Sequence, residues 1–369
     1  MKGNNRYEDL VKELGRHARV KKVDGYECVI KPIPDMEASG RLDPRVYEVQ
    51  LRGQQAMKDN PMPQLAPGDP GFIGQMRAMM GWENKDITAS QIETEFKTIT
   101  GTYGDIPLRI YKPSVIHGQK RPAVVFFHGG GFIGGSVDVV ENPCKALAEK
   151  AEAVVVSVDY RLAPEHPFPA GVTDCFESVK WVYDHAEELG VDPSFICVSG
   201  DSAGGNMAAV CSLMDRDQGT DMIRYQALIY PTVNMAGVET EDFRWSLGAY
   251  DIREHEELIM PGLMGMKGSG DLIPNFYLPE GADKHNPYFS PLLAENLSRQ
   301  PETLIIAAEY DYLRIEDEAY AAKLARFGVP TRYIRYNGMD HAFLDKTGLY
   351  PQAEDCLNEI SKDIRRLTK

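Results

Sequence analysis

From about residue 93 onward the chain alternates short apolar runs with stretches of helical period. Residues 123–127, 153–158, 195–199, 226–230, 303–308 and 331–336 are rich in Val and Ile and run without polar alternation. Continuous runs of that length suit strands covered on both faces. Between most of them lie helical patterns such as "ENPCKALAEKA" and "CFESVKWVYDHAEEL". The order predicts an α/β fold with a mostly parallel central sheet, right-handed crossovers and flanking helices. Ahead of it, "TEFKTITGTYGDIPLRIYKP" reads as two strands joined by a tight Tyr-Gly-Asp turn, an antiparallel hairpin at a sheet edge.

Two regions break this rhythm. Residues 1–92 are charged and helix-prone at first, then rich in Pro, Gly and Met, and are expected to form an N-terminal cap region. Residues 235–285 are too long for a simple connection and read as a cap segment inserted into the domain that spans 93–369. Both are placed over the C-terminal edge of the sheet, where ligands bind in such folds.

Composition narrows the partners. A chain of 369 residues fits one core with a smaller appendage. Its net charge of −15 argues against nucleic acid or an anionic membrane as the main partner, because phosphates would be repelled. The six cysteines are scattered singly, with no CxxC pair, and those inside apolar runs, Cys197 and Cys211, read as small buried hydrophobes. The start "MKGNNRYEDLVKELG" lacks a signal-peptide core, and no apolar run approaches the ~18 residues of a membrane span. The expected compartment is the cytoplasm. A homodimer is left open.

The chemistry gathers first at "VVFFHGGGFIGGS", where a buried strand runs into a histidine and five glycines. Gly129, Gly131 and Gly134 satisfy G-x-G-x-x-G, and Asp159 ends the next strand where a ribose-binding carboxylate would sit. The context fails that reading. A dinucleotide fingerprint needs its helix to begin at the glycines, whereas here "GGSVDVVENP" intervenes and Pro143 suits a first helical turn near Glu141. Bare backbone also serves acyl transfer, which needs N–H donors at the carbonyl oxygen of a tetrahedral intermediate.

One β/α unit further on, Gly200-Asp201-Ser202-Ala203-Gly204 is G-x-S-x-G, with the strand "FICVS" before it and the helical run "NMAAVCSLM" behind. Glycine two residues either side of the serine relieves a sharp strand-to-helix turn and leaves Oγ exposed. Gly130 and Gly131 are then two oxyanion donors and Ala203, after the nucleophile, the third. His128 is assigned to bracing the loop with Gly129, and alanine at Gly135, beyond the donors, is expected to cost much less in kcat than valine at Gly130, provided the fold tolerates it.

"HGGGF", "VDYRLAPEHPFPA", "GDSAGG", "DYLRIEDEAYAAKL" and "DHAF" together resemble the hormone-sensitive-lipase-like carboxylesterases of the α/β-hydrolase fold, over about residues 95–369. The resemblance implies a Ser–His–Asp esterase with a helical cap, and the second and third glycines of HGGG as oxyanion donors; a covered pocket suits short-chain or aromatic esters, and the reaction needs no metal and no cofactor. It also admits an arylacetamide-type amide hydrolase and a non-catalytic ligand receptor. Tyr312 stands where the family usually has proline and Ile315 where a second aspartate is common, which questions the bracing of that loop. The N-terminal extension is longer than the family leads one to expect.

In this fold the chain order is Ser, then Asp or Glu, then His. Of the histidines after Ser202, His255 and His285 lie in the inserted segment, whereas His341 follows the last strand across "NGMD". His341 is the expected base. Asp311, in the loop after "TLIIAA", is the expected acid, ahead of Glu309 and of Asp340, whose side chain diverges from its neighbour's. Phe72, Met76, Met79, Met80, Trp82, Phe243, Trp245, Met260 and Met264 are open between lining an acyl pocket and forming cap core.

Overall fold

The structure is a computed structural model that describes residues 2–114 and 120–369. In chain order it runs α1 (Lys2–Arg16), β1 (Arg19–Val23), β2 (Tyr26–Lys31), α2 (Pro44–Asp59), α3 (Phe72–Ala78), β3 (Ile92–Gly101), β4 (Gly104–Pro113) and β5 (Arg121–Phe127). There follow α4 (Glu141–Ala151), β6 (Val154–Val158), α5 (Ala170–Asp184), the short α6 (Ala186–Leu189), β7 (Val191–Asp201), α7 (Ala203–Gln218) and β8 (Ile223–Ile229). The chain closes with α8 (Glu256–Tyr277), β9 (Glu302–Tyr310), α9 (Arg314–Arg326), β10 (Thr331–Asp340) and α10 (Pro351–Leu367).

The strands form one sheet in the order β1-β2-β10-β9-β8-β7-β5-β6-β4-β3. From β2 to β6 every neighbouring pair is parallel, and β1 and the β3–β4 hairpin add antiparallel edges. The apolar runs are continuous because both faces are covered. Along β5, Ala123, Val125 and Phe127 pack with α5, α7 and α9, while Val124 and Phe126 pack with α4 and α10 on the other face.

Connectivity positions the site. After β5 the chain passes through α4 on one face, and after β7 through α7 on the opposite face. β5 and β7 are neighbours, so their C-terminal ends open into a crevice, the usual place for a ligand in a doubly wound sheet.

The N-terminal region departs from expectation. Residues 19–31 belong to the sheet: β2 pairs parallel to β10, with Val29 opposite Ile334, and β1 closes that edge. The expectation of a cap over all of 1–92 is therefore corrected. The reason is electrostatic and local. "RVKKV" makes a charged, exposed outer strand that resists further pairing. Lys31, 1% exposed, ends β2 in a bridge to Asp355 (2.8 Å) and Glu359 (2.7 Å) of α10. A lysine reads as surface in the sequence, and only its two carboxylates make it an interior residue. Among the described residues no helix is long and apolar enough to cross a membrane.

Candidate active site

Ser202 stands at the turn between β7 and α7, with φ 55° and ψ −113°. That backbone is costly for any residue with a Cβ, so its surroundings must impose it. Ser202 N–H donates to Ile229 O (2.8 Å), and Asn206 N–H to Ser202 O (3.1 Å). A Cβ at Gly200 would lie 2.5 Å from Phe127 O, and one at Gly204 would lie 2.0 Å from the same oxygen. The two glycines let the turn press against the end of β5.

Three strand ends bring the polar groups together. His341 Nε2 is 2.9 Å from Ser202 Oγ, and His341 Nδ1 is 2.6 Å from Asp311 Oδ2. Asp311 is fully buried, and its other oxygen accepts the Leu313 N–H at 3.0 Å. The carboxylate can only accept, so Nδ1 carries the imidazole proton and Nε2 offers its lone pair to the serine. Burial, the largest influence, would depress His341, but the Asp311, Asp201 and Asp340 carboxylates together outweigh it, and the net shift is upward.

The rival groups are occupied elsewhere. Glu309 accepts the Gly338 N–H (2.8 Å) and Asp340 accepts from Gln50 Nε2 (2.9 Å). His255 stacks on Tyr47 and touches Arg41, while His285 lies exposed beside Asp283.

The glycine loop after β5 is held from within the core. Each peptide group has its N–H and C=O pointing opposite ways, so a bond at one end aims the other. Gly129 N–H donates to Asp201 Oδ1 (2.8 Å), and His128 O, on the same peptide, accepts the Tyr160 hydroxyl (2.7 Å). His128 Nδ1 donates to Gly129 O (2.8 Å), which aims the Gly130 N–H on that peptide. Burial pushes the His128 pKa down to about 4, the bond to Gly129 opposing it, so the ring stays neutral. It stacks on Tyr160 with ring centroids 4.3 Å apart.

Among the described residues no protein acceptor takes the N–H groups of Gly130, Gly131 or Ala203. Ala203 opens α7, where the first N–H groups carry the positive end of the helix dipole. Gly130 has φ 121° and Gly131 φ 58°. At Gly135 the condition of tolerance is not met. A Cβ there would lie 2.0 Å from Gly129 O and 2.8 Å from His128 Nδ1, so this glycine is part of the brace and not a tolerant bystander.

Sequence reasoning passed over Asp201 and Tyr160 as individual contributors. Asp201 has a visible signal: it is a carboxylate at the end of a buried strand, next to Ser202. Burial raises its pKa above the usual carboxylate range, with Asp345 adding and the Gly129 N–H opposing.

The inserted segment roofs the crevice. Phe132 stacks on Tyr277 of α8 (4.1 Å between centroids), and a Cβ at Gly131 would lie 2.7 Å from Ile273 Cδ1. The acid loop, which lacks the family's proline, is braced by aromatic groups instead. Trp245 stacks on Tyr312 (5.1 Å), and the Tyr250 hydroxyl donates to Asp311 O (2.8 Å). Of the apolar residues left open, Met79 and Trp82 are 56% and 45% exposed, whereas Phe243 is buried in the core.

The model of the α/β hydrolase fold matches residues 124–345. An arylesterase of Saccharolobus solfataricus is 38% identical over 260 residues, covering 70% of this chain and 80% of the relative. The carboxylesterase NlhH of Mycobacterium tuberculosis is 37% identical over 71% of this chain and 78% of its own. A hyperthermophilic esterase from Pyrobaculum calidifontis is similar in structure, with a TM-score of 0.71 and 36% identity over 89% of this chain and 99% of that one.

Proposed function

We propose, from the premise that this chain belongs to the hormone-sensitive-lipase-like carboxylesterases of the α/β hydrolase fold, that Ser202, His341 and Asp311 carry its reaction. The protein is a carboxylic ester hydrolase. Ser202 Oγ attacks the ester carbonyl while His341 Nε2 takes its proton. The carbonyl oxygen, now negative, is held by the N–H groups of Gly130, Gly131 and Ala203. Collapse of this intermediate expels the alcohol, which takes the proton from His341 and leaves an acyl-serine. Water, deprotonated by the same imidazole, attacks the acyl carbon and regenerates Ser202. Asp311 holds the imidazole tautomer and stabilises the imidazolium.

The observation that carries this reading is the continuous line from buried Asp311 through His341 to Ser202, ending beside unpaired backbone N–H groups. The roof supports compact esters: Ile273 lies so close over Gly131 that an acyl or alcohol chain has little depth on that side. Six buried, unbridged cysteines accord with a reducing cytoplasm.

The test is a panel of p-nitrophenyl esters from acetate to palmitate, with Ser202→Ala in parallel. Activity should peak at short or aromatic acyl groups, and Ser202→Ala should lose several orders of magnitude in kcat. A maximum at palmitate would overturn the substrate class. Activity of Ser202→Ala within tenfold of the parent would overturn the site.

A further inference from the structure

Helix α3, in the N-terminal region, reaches the glycine loop through one side chain that the reaction above does not use. Arg77 Nε donates to Ile133 O at 2.6 Å, and its Nη2 donates to Ala163 O at 3.0 Å. The far side of the guanidinium is paired with Glu165 through two bonds of 2.9 and 2.6 Å. The fit is close, since a Cβ at Gly134 would lie 2.4 Å from Met80 Sδ and 3.2 Å from Arg77 Cγ. Ala163 N–H returns to the same loop by donating to Phe132 O (2.9 Å).

The consequence runs through two peptide groups. Ile133 C=O and Gly134 N–H are opposite ends of one planar amide. Arg77 holds the first, and the second donates to Gly130 O at 2.9 Å, joined there by Ile133 N–H at 3.1 Å. Gly130 C=O and Gly131 N–H are in turn opposite ends of the next amide in the relay. Whatever fixes Gly130 O therefore aims Gly131 N–H. Glycines at φ 121° and 58° leave that plane free to rotate unless it is held. A cation at the head of such a chain also polarises each amide after it and strengthens the last donor.

We propose that Arg77 is a positioning residue for the oxyanion hole, aiming and polarising the Gly131 N–H through the Ile133–Gly134 and Gly130–Gly131 amides. The inference rests on the reading of Gly131 as an oxyanion donor. It assigns the two loop donors to different parts of the chain. The Gly130 N–H is set by His128 from the core, and the Gly131 N–H by Arg77 from the N-terminal region.

The experiment measures kcat, KM and inhibition by an aryl trifluoromethyl ketone, whose serine adduct carries the same oxyanion, on Arg77→Met, Arg77→Gln and Arg77→Lys. Loss of aim at one donor should cost about ten- to a hundredfold in kcat, less than the ~10²–10³ of a donor removed outright. KM should stay within about threefold, and the ketone's Ki should weaken in proportion to kcat/KM. Arg77→Lys should recover part of the loss, since it keeps the charge without the fork. Glu165→Gln, which changes only the exposed partner, should leave kcat within about twofold. Should Arg77→Met not fold, Arg77→Gln and Arg77→Lys carry the same comparison.

A kcat within twofold of the parent in the folded variants, or a rise in KM alone, would overturn the proposal and leave Arg77 as a tether of α3. Ser202→Ala separates the two failures. If it stays active, the reading of the site and this inference fall together. If it is dead while Arg77→Met and Arg77→Gln keep their kcat, only the inference falls.

Discussion

Two glycine-rich turns face each other across the crevice, and they are held in different ways. In the elbow around Ser202, added Cβ atoms at Gly200 and Gly204 would strike the backbone of Phe127 at 2.5 and 2.0 Å. Both walls are main chain of the parallel core, so the elbow is as rigid as the sheet. In the loop 128–135 the walls are mixed. A Cβ at Gly130 would meet Gly134 O of the loop itself, one at Gly131 would meet Ile273 of α8, and one at Gly134 would meet Met80 beside α3. The proposed nucleophile is thus a property of the core, whereas the proposed loop donors are shared between core and cap. A cap that shifts would leave Ser202 in place and lose the donors first.

The strongest break is Gly204→Ala. The Phe127 and His128 backbone that the Cβ would meet cannot yield, so soluble folded protein should largely disappear, read by yield and by circular dichroism. If it folds and melts near the parent temperature, the elbow is softer than its contacts imply. Gly130→Ala should act more locally. Its Cβ would displace the loop and turn one donor away, lowering kcat on the order of 10²–10³ while secondary structure stays intact. Steady-state kinetics beside a melting curve checks both halves of that expectation.

The turns also answer differently to protons. His341 must be neutral to act as base, and its pKa is shifted upward, so activity is lost as pH falls through a value above the ordinary ~6.5. His128 stays neutral down to about 4, so it should not add to that limb. A pH–rate profile in kcat/KM should lose at least roughly tenfold per unit below the His341 midpoint, and more steeply once Asp201, raised by burial and holding the Gly129 N–H, takes up its proton. A limb that stays at slope one throughout would show that protonating Asp201 leaves the glycine loop in place.

Smaller effects sharpen the contrast. Gly131→Ala meets only the tip of a flexible side chain, besides its unfavourable φ, which costs of order 1–2 kcal/mol. It should lower kcat by about tenfold, and Ile273→Ala in the same protein should return part of that loss. A double-mutant cycle with no coupling would show that α8 does not press on the loop. Smallest of all, Trp82→Ala removes a ring that is 45% exposed and should change kcat/KM less than twofold in the same ester assay.

Much of this was legible before any coordinates. The six apolar runs become β5 to β10 because continuous Val/Ile stretches have few other homes than a strand covered on both faces. Ser202, Asp311 and His341 were singled out by strand-end position and chain order, which are one-dimensional facts, and the fold brings them within 2.6 and 2.9 Å of one another. The glycines beside Ser202 were legible too, since a missing Cβ states its own reason once the turn is recognised.

What stayed hidden depends on groups far apart in the chain. Lys31 looks like surface until Asp355 and Glu359 enclose it, 324 and 328 residues along the chain, and so β1 and β2 read as cap in the sequence. Gly135 looked spare because its neighbours in sequence are loop, while its neighbour in space is the carbonyl that His128 holds. Tyr312 looked like a lost proline until Trp245, from the inserted segment, stacked on it. Hydrophobic period and turn chemistry act over a few residues, so the parallel strands β5 to β10, their order along the chain and the candidate side chains of the site can be read from one dimension. The tertiary structure alone decided which amides face the crevice and what aims them, because the direction of a peptide N–H is set by whichever distant donor holds the carbonyl behind it.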